Sequence, residues 1–364
     1  MALVFDEFLN SPQTHVLIIG VSEYMYLKDG KKVKLQEFDF VADLKQLTST
    51  SASAKLFTEE VLNLHQNSSW CVPLGTVDLL EGEFATRNHI EDRYHEWRER
   101  CEANKDNVAV FYFAGHGFYC RGNQYLLPAD FGASANNPWA KAIDFTQTRM
   151  AFQSCTAKTQ LFFIDACRTI PLEALLSSFN VGSIDVIHEL HGACDHELTL
   201  ISTSVGSSAY GRENEPSFFT KALVNGLTGY AAMNVDDDWV ISTSTLSTKM
   251  NEWVKMEMDA TQLRQVCHAQ ISDPINIVKL SEAPKAKLLL LCSPNEALPL
   301  AKLRCYNASF QEERAPLSDP WSLDLRAGIY NLSAEFSNNE YSSTGSEVAV
   351  SPPFLMKTLK CQKN

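Results

Sequence analysis

The sequence predicts an α/β protein: a mostly parallel sheet with helices on both faces, followed by a small β-sandwich-like domain. Three observations carry this expectation. Short apolar runs rich in β-branched and aromatic residues, HVLIIG at 15–20, NVAVFYFA at 107–114 and QLFFIDA at 160–166, have the continuous hydrophobicity of strands buried on both faces. They alternate with segments of helical periodicity, the arrangement that produces parallel strands joined by crossover helices. After Pro284 the texture changes to short apolar stretches separated by Pro, Asn, Gly and Ser. A length of 364 residues then divides into 1–283 and 284–364.

After the first strand and the Lys-rich loop at 28–34, the pattern predicts a helix centred on Phe40 to Leu47, ended by the Ser/Thr-rich stretch Thr48 to Ser53. Thr86 can cap the next helix, where Ile90, Tyr94 and Trp97 fall on one face. Thr199 to Thr203 reads as a fourth strand, Phe218 to Leu227 as a helix, Trp239 to Ile241 as a short strand, and Ser244 to Met258 as a helix capped by Ser or Thr. In the C-terminal part, Ala286 to Cys292, Leu303 to Tyr306 and Ser322 to Leu325 read as strands. The rhythm of residues 322–336 resembles that of small transthyretin-like or PEGA-like β domains.

Composition excludes some functions. With 45% hydrophobic and 21% charged residues this is a globular chain, and a net charge of −13 argues against nucleic-acid binding, which needs clustered Lys and Arg. The N-terminus, MALVFDEFLN, has neither a basic start nor a long apolar run, so no signal peptide or membrane anchor is expected and the cytoplasm is the expected location. In that compartment the ten scattered cysteines stay thiols, and the sequons at Asn67, Asn307 and Asn331 are chance matches.

The chemistry concentrates at two strand ends. FAGHG places His116 just past one apolar strand and IDAC places Cys167 just past another, and carboxyl ends of parallel strands are where such sheets collect functional groups. A thiol attacks a carbonyl as thiolate, and an imidazole can take its proton and later return it to a leaving amine. His116 precedes Cys167 by 51 residues, close to the spacing of about 50 found in caspases. The positions two before and two after Cys167 hold Asp165 and Thr169, where animal caspases carry Gln and Gly.

In order, HVLIIGVSEY, VAVFYFAGHGFY, GNQYLLPAD, LFFIDACR, STSVGSSAY and SFFTKAL resemble the peptidase core of metacaspases, paracaspases and bacterial caspase-like proteases, over residues 14–280. The resemblance implies a cysteine endopeptidase with no cofactor, acting on protein or peptide substrates and open to a regulatory protein partner. Such relatives act in antiviral defence, stress responses and programmed death. It further implies Cys167 as nucleophile, His116 as general acid/base, and the amides of Gly117 and Cys167 as the oxyanion hole. Asp165 stands where arginine-specific relatives carry an acid of the specificity (S1) pocket; a second acid on the first helix matches Asp43, with Asp39 the competing alignment. Cleavage after Arg or Lys is therefore expected.

Arg212, where paracaspases have a third acid nearby, would oppose that preference if it turned inward. The competing reading is a catalytically silent caspase-like scaffold that recruits partners through its β domain. Asp236 to Asp238 admits a calcium site or a plain acidic hairpin, the hairpin being the simpler reading. His188, His191, Cys194 and His196 have no standard zinc spacing. Residues 169–198 lack Lys and Arg, so a basic-specific enzyme is not expected to cut itself there, whereas Asp185 and Asp195 would be open to an Asp-specific protease.

Overall fold

A computed structural model describes residues 2–33, 39–134, 136–176, 181–186, 194–258 and 265–364. The chain runs through β1 (Ala2–Asp6), β2 (Thr14–Gly20), α1 (Asp39–Asp43), α2 (Thr48–Gln66), β3 (Leu74–Glu81), α3 (Arg87–Glu102) and β4 (Val108–Ala114). A small antiparallel sheet follows, of β5 (Gly117–Cys120), β6 (Asn123–Leu126) and β7 (Ile143–Asp144). Then come α4 (Phe145–Phe152), β8 (Thr159–Asp165), α5 (Leu172–Leu176), β9 (His196–Ile201), α6 (Phe218–Asn225), the hairpin β10 (Met233–Val235) and β11 (Asp238–Ser242), α7 (Thr243–Met258), β12 (His268–Ile271) and β13 (Asn276–Leu280).

The main sheet has the order β1-β3-β2-β4-β8-β9-β12. Its inner strands are parallel, and β1 and β12 are antiparallel at the edges. The chain builds outward from β2 to β3, then crosses back to β4, so the order reverses between β2 and β4, where such sheets open a crevice at the strands' carboxyl ends. Alternation along β4 shows that both faces are covered. Ala109, Phe111 and Phe113 join Ile90, Tyr94 and Trp97 of α3 in one core cluster. On the other face Tyr112 stacks on Phe57 of α2 at 4.6 Å and its hydroxyl lies 2.6 Å from that of Thr220 on α6. Thr86 caps α3 by accepting from the His89 amide at 3.4 Å.

The expectation over 40–53 fails for a tertiary reason, and one strand had no expectation at all. The helix expected over 40–47 is only the short α1, and the Ser/Thr stretch expected to end it begins the 19-residue α2. Two of these small polar residues turn inward: the Thr50 hydroxyl donates to the Val21 carbonyl at 2.8 Å, and Thr50 and Ser53 are buried together with Ala54. A Cβ on Gly20 would stand 2.7 Å from that of Ala54, so small side chains are what let α2 lie close over β2. Strand β3 has no counterpart among the apolar runs because Thr76 and Asp78 interrupt it; both are buried, bonded to Arg100 of α3.

Residues 1–224 with 242–278 form one compact unit, and 225–241 with 279–364 a second. In the second, β14 (Lys285–Ser293), β15 (Ala301–Tyr306), β16 (Gln311–Arg314), β17 (Trp321–Arg326), β18 (Gly328–Phe336), β19 (Thr344–Val350) and β20 (Phe354–Lys360) make two sheets, β17-β14-β20 and β16-β15-β18-β19. Alternate residues such as Leu288, Leu290, Leu303, Leu323 and Leu332 point into one shared core, which is a sandwich arrangement. The Tyr330 hydroxyl donates to the Arg326 carbonyl at 2.9 Å, pinning the turn between β17 and β18.

Candidate active site

Strands β4 and β8 are neighbours in parallel register, with Ala114 opposite Asp165. The Gly115 amide extends this pairing by donating to the Asp165 carbonyl at 3.1 Å. His116 and Cys167 each stand two residues beyond the last registered pair, so the register itself brings them to one end of adjacent strands. Gly117 then turns the chain into β5. A Cβ there would meet the Gln124 side chain and the Tyr125 carbonyl at 2.9 Å and the Ala166 Cβ at 3.0 Å, so no larger residue fits. The Leu127 amide donates to the His116 carbonyl at 3.0 Å, which makes Gly117 and Leu126 a pair without mutual hydrogen bonds and turns the Gly117 amide away from β6.

His116 is held at both ends. Its amide donates to the Tyr24 hydroxyl at 2.7 Å, and its ring Nε2 lies 2.7 Å from the Lys45 carbonyl. A carbonyl only accepts, so Nε2 carries the proton and Nδ1 is left with the lone pair. Burial lowers the imidazole to about 4, against a smaller upward effect of the Lys45 carbonyl. Cys167 is partly buried, and its Sγ accepts from the Ala209 amide at 3.2 Å. Burial raises the thiol above its ordinary range, the Ala209 bond opposes this, and the charge of Asp165 adds to it. At rest, then, both the thiol and the imidazole are neutral.

Asp165, two residues before Cys167, is buried. Its carboxylate accepts from the hydroxyls of Ser217 and, at 2.9 Å, Thr220. Burial raises this carboxyl to about 6, with the hydroxyls pulling the other way. The Ser217 amide donates to the Ser53 hydroxyl of α2 at 2.9 Å, so α2 and the start of α6 meet around this acid. Asp39 and Asp43 occupy exposed positions on α1 and are not among the side chains bonded to Asp165. Arg212 points outward, 3.7 Å from Glu215 and over the Phe218 ring at 5.8 Å.

Tyr24, the Lys45 carbonyl, Ser53, Ser217 and Thr220 were not singled out by sequence. Tyr24 lies inside HVLIIGVSEY, and Ser217 and Thr220 inside SFFTKAL, so their motifs carried a signal. A main-chain carbonyl has no residue-type signature at all.

Asp236 and Asp237 have positive φ values of 49° and 69° at the tip of the β10–β11 hairpin, the conformation of a tight two-residue turn. Among the described residues no cluster of three or more His, Cys, Asp or Glu could hold a metal, and His188 and His191 lie outside the described residues. Asp185 is not open to a protease as expected. Its carboxylate is buried, paired with Arg98 and accepting from the Tyr94 hydroxyl at 2.7 Å.

Residues 13–275 match the family model of the caspase domain. The chain belongs to the caspase family. The chain is 24% identical over 263 residues to an uncharacterised protein of Sinorhizobium fredii, covering 69% of this chain and 74% of that one. It is 32% identical over 126 residues, 33% of this chain, to a probable protease of a Desulfuromonadales bacterium, of which the match spans 15%. Among the described residues no helix is long and apolar enough to cross a membrane.

Proposed function

We propose that this caspase-family chain is a cysteine endopeptidase that cleaves polypeptides after Arg or Lys. The observation that carries the reading is the placement of His116 and Cys167 at matched positions beyond two adjacent parallel strands, with the imidazole already held in the tautomer that leaves Nδ1 basic. In acylation the Cys167 proton passes to His116 Nδ1 as Sγ bonds to the scissile carbonyl carbon. The oxyanion so formed takes hydrogen bonds from the amides of Gly117 and Cys167, each worth on the order of 3 kcal/mol in such a site. The imidazolium then protonates the leaving amine as the C–N bond breaks. Water, deprotonated by the same Nδ1, displaces Cys167 from the thioester and frees the new carboxylate.

The preference for a basic residue rests on Asp165, the buried acid two residues before the nucleophile, which a guanidinium or ammonium would pair with in place of the two hydroxyls. Arg212 faces solvent and does not compete for it. The Ala209 amide donates to the Cys167 sulfur and so favours the thiolate that attacks, against the effect of burial. We read the enzyme as a regulated one, with stress, defence or cell-death signalling as the setting that the family resemblance supports.

The test is a fluorogenic peptide panel with Arg, Lys or Asp before the scissile bond, run with wild type and Cys167→Ala, with and without iodoacetamide. Cleavage of Arg and Lys peptides only, abolished by the variant and by alkylation, is expected. Cleavage of Asp peptides would overturn the specificity, and inert wild type would favour the scaffold.

A further inference from the structure

The carbonyl on which the His116 ring rests belongs to a segment with little regular structure, between the end of α1 and the start of α2, and its residue, Lys45, has an exposed side chain. Such a segment does not fix an acceptor to hydrogen-bonding precision by itself. The next residue does. The Gln46 side-chain Oε1 accepts from the Tyr24 amide at 2.7 Å, and its Nε2 donates to the Tyr24 carbonyl at 3.1 Å and to the Lys28 carbonyl at 2.8 Å. A primary amide offers an acceptor and two donors in one plane, so it pairs with both main-chain groups of Tyr24 much as a neighbouring strand would. The Leu47 amide adds a bond to the Ser22 carbonyl at 3.1 Å.

These bonds close a ring through the catalytic histidine. From His116 Nε2 the path runs to the Lys45 carbonyl, along the chain to the Gln46 amide, across to the Tyr24 main chain, out along the fully buried Tyr24 side chain, and back to the His116 amide. We infer that Gln46 is the positioning residue of the dyad: by clamping Tyr24 it sets the distance between the two supports of His116, and so holds the imidazole in the Nε2–H tautomer with Nδ1 free. It touches neither substrate nor the reacting atoms. The inference rests on the peptidase reading for its effect on turnover, but the tautomer itself needs no substrate.

The experiment compares wild type, Gln46→Leu, which removes all three side-chain bonds, and Gln46→Glu, which keeps an acceptor for the Tyr24 amide and loses the donors. Folding is checked by circular dichroism and melting, the His116 tautomer by 15N imidazole shifts of the free proteins, and catalysis by kcat and KM on Arg peptides. Wild type is expected to show the Nε2–H tautomer alone. Gln46→Leu is expected to show both tautomers and to lose ~10- to 100-fold in kcat with KM changed less than ~3-fold, the size of effect a displaced catalytic group produces, and Gln46→Glu to fall between. A folded variant that keeps the single tautomer, or that raises KM at unchanged kcat, overturns the inference. Should Gln46→Leu not fold, Gln46→Glu decides by the same readings. If wild type shows no Cys167-dependent cleavage, the peptidase reading fails, and the tautomer spectra still decide whether the clamp exists.

Discussion

The ends of β4 and β8 and the segment leading from α1 into α2 serve one site in opposite ways. The strand ends deliver the side chains of the proposed dyad, His116 and Cys167, and the sheet register places them: Ala114 opposite Asp165 is enough to bring both to the same edge. The α1–α2 segment delivers no reactive side chain. It contributes a carbonyl at Lys45, and the first turns of α2 beyond it a hydroxyl at Ser53, each meeting a part of the chain far away in sequence. In the proposed mechanism chemistry comes from side chains on a rigid ladder, and orientation from the main chain and small polar groups that the rest of the fold must hold in place.

The sharpest test of the first half of that contrast is His116→Ala. Residues acting as one unit lose activity together, so kcat should fall by ~10³-fold or more, to the level of Cys167→Ala, with the melting temperature little changed. A mild phenotype would hand the base role to another group. The resting state offers a second test without substrate. Burial lowers His116 to about 4 and raises Cys167, so no thiolate–imidazolium pair is stored. Alkylation of Cys167 by iodoacetamide should therefore climb ~10-fold per pH unit through neutral and into alkaline pH, as free thiolate does. A rate already flat above pH 6 would reveal an ion pair and break the picture.

Asp165 belongs to the strand end by sequence but accepts from Ser217 and Thr220 at the start of α6, and Ser217 is in turn tied to Ser53 of α2, which makes Asp165→Asn the informative variant between the two regions. KM for Arg peptides should rise ~10-fold, since a buried guanidinium would lose its charged partner. The wild-type kcat/KM for Arg peptides should rise with pH as Asp165 ionises near 6, and the variant should lack that limb. Stability has the opposite sign. The unfolded chain ionises Asp165 near the ordinary 3.8 and the folded chain near 6, so the folded state holds this proton more tightly. The group's contribution is complete below the unfolded value and is lost as pH rises through the folded one, on the order of 2–3 kcal/mol. Melting scans at pH 4.5 and 7.5 should show Asp165→Asn gaining on wild type at the higher pH. The smallest effect is expected for Asp43→Asn, exposed on α1: KM for Arg peptides within ~2-fold of wild type. A large rise would mean that α1 moves onto the pocket when substrate binds and that the helix contributes a side chain after all.

The sequence by itself determined the parallel α/β sheet with its β-sandwich, the amphipathic α3 with its Thr86 cap, and the pair of strand ends carrying His116 and Cys167. Each is written in local order: continuous apolar runs, a 3.6-residue period, and a reactive residue at a fixed step past a strand. The tertiary structure alone decided that Thr48 to Ser53 begins a helix, because only the closeness of Gly20 to Ala54 makes small polar residues the right surface there. It alone made β3 a strand, because Thr76 and Asp78 are satisfied by Arg100 from another element. It alone supplied Lys45, whose part in the site is a carbonyl that every residue carries and that gains its role from the ring that approaches it.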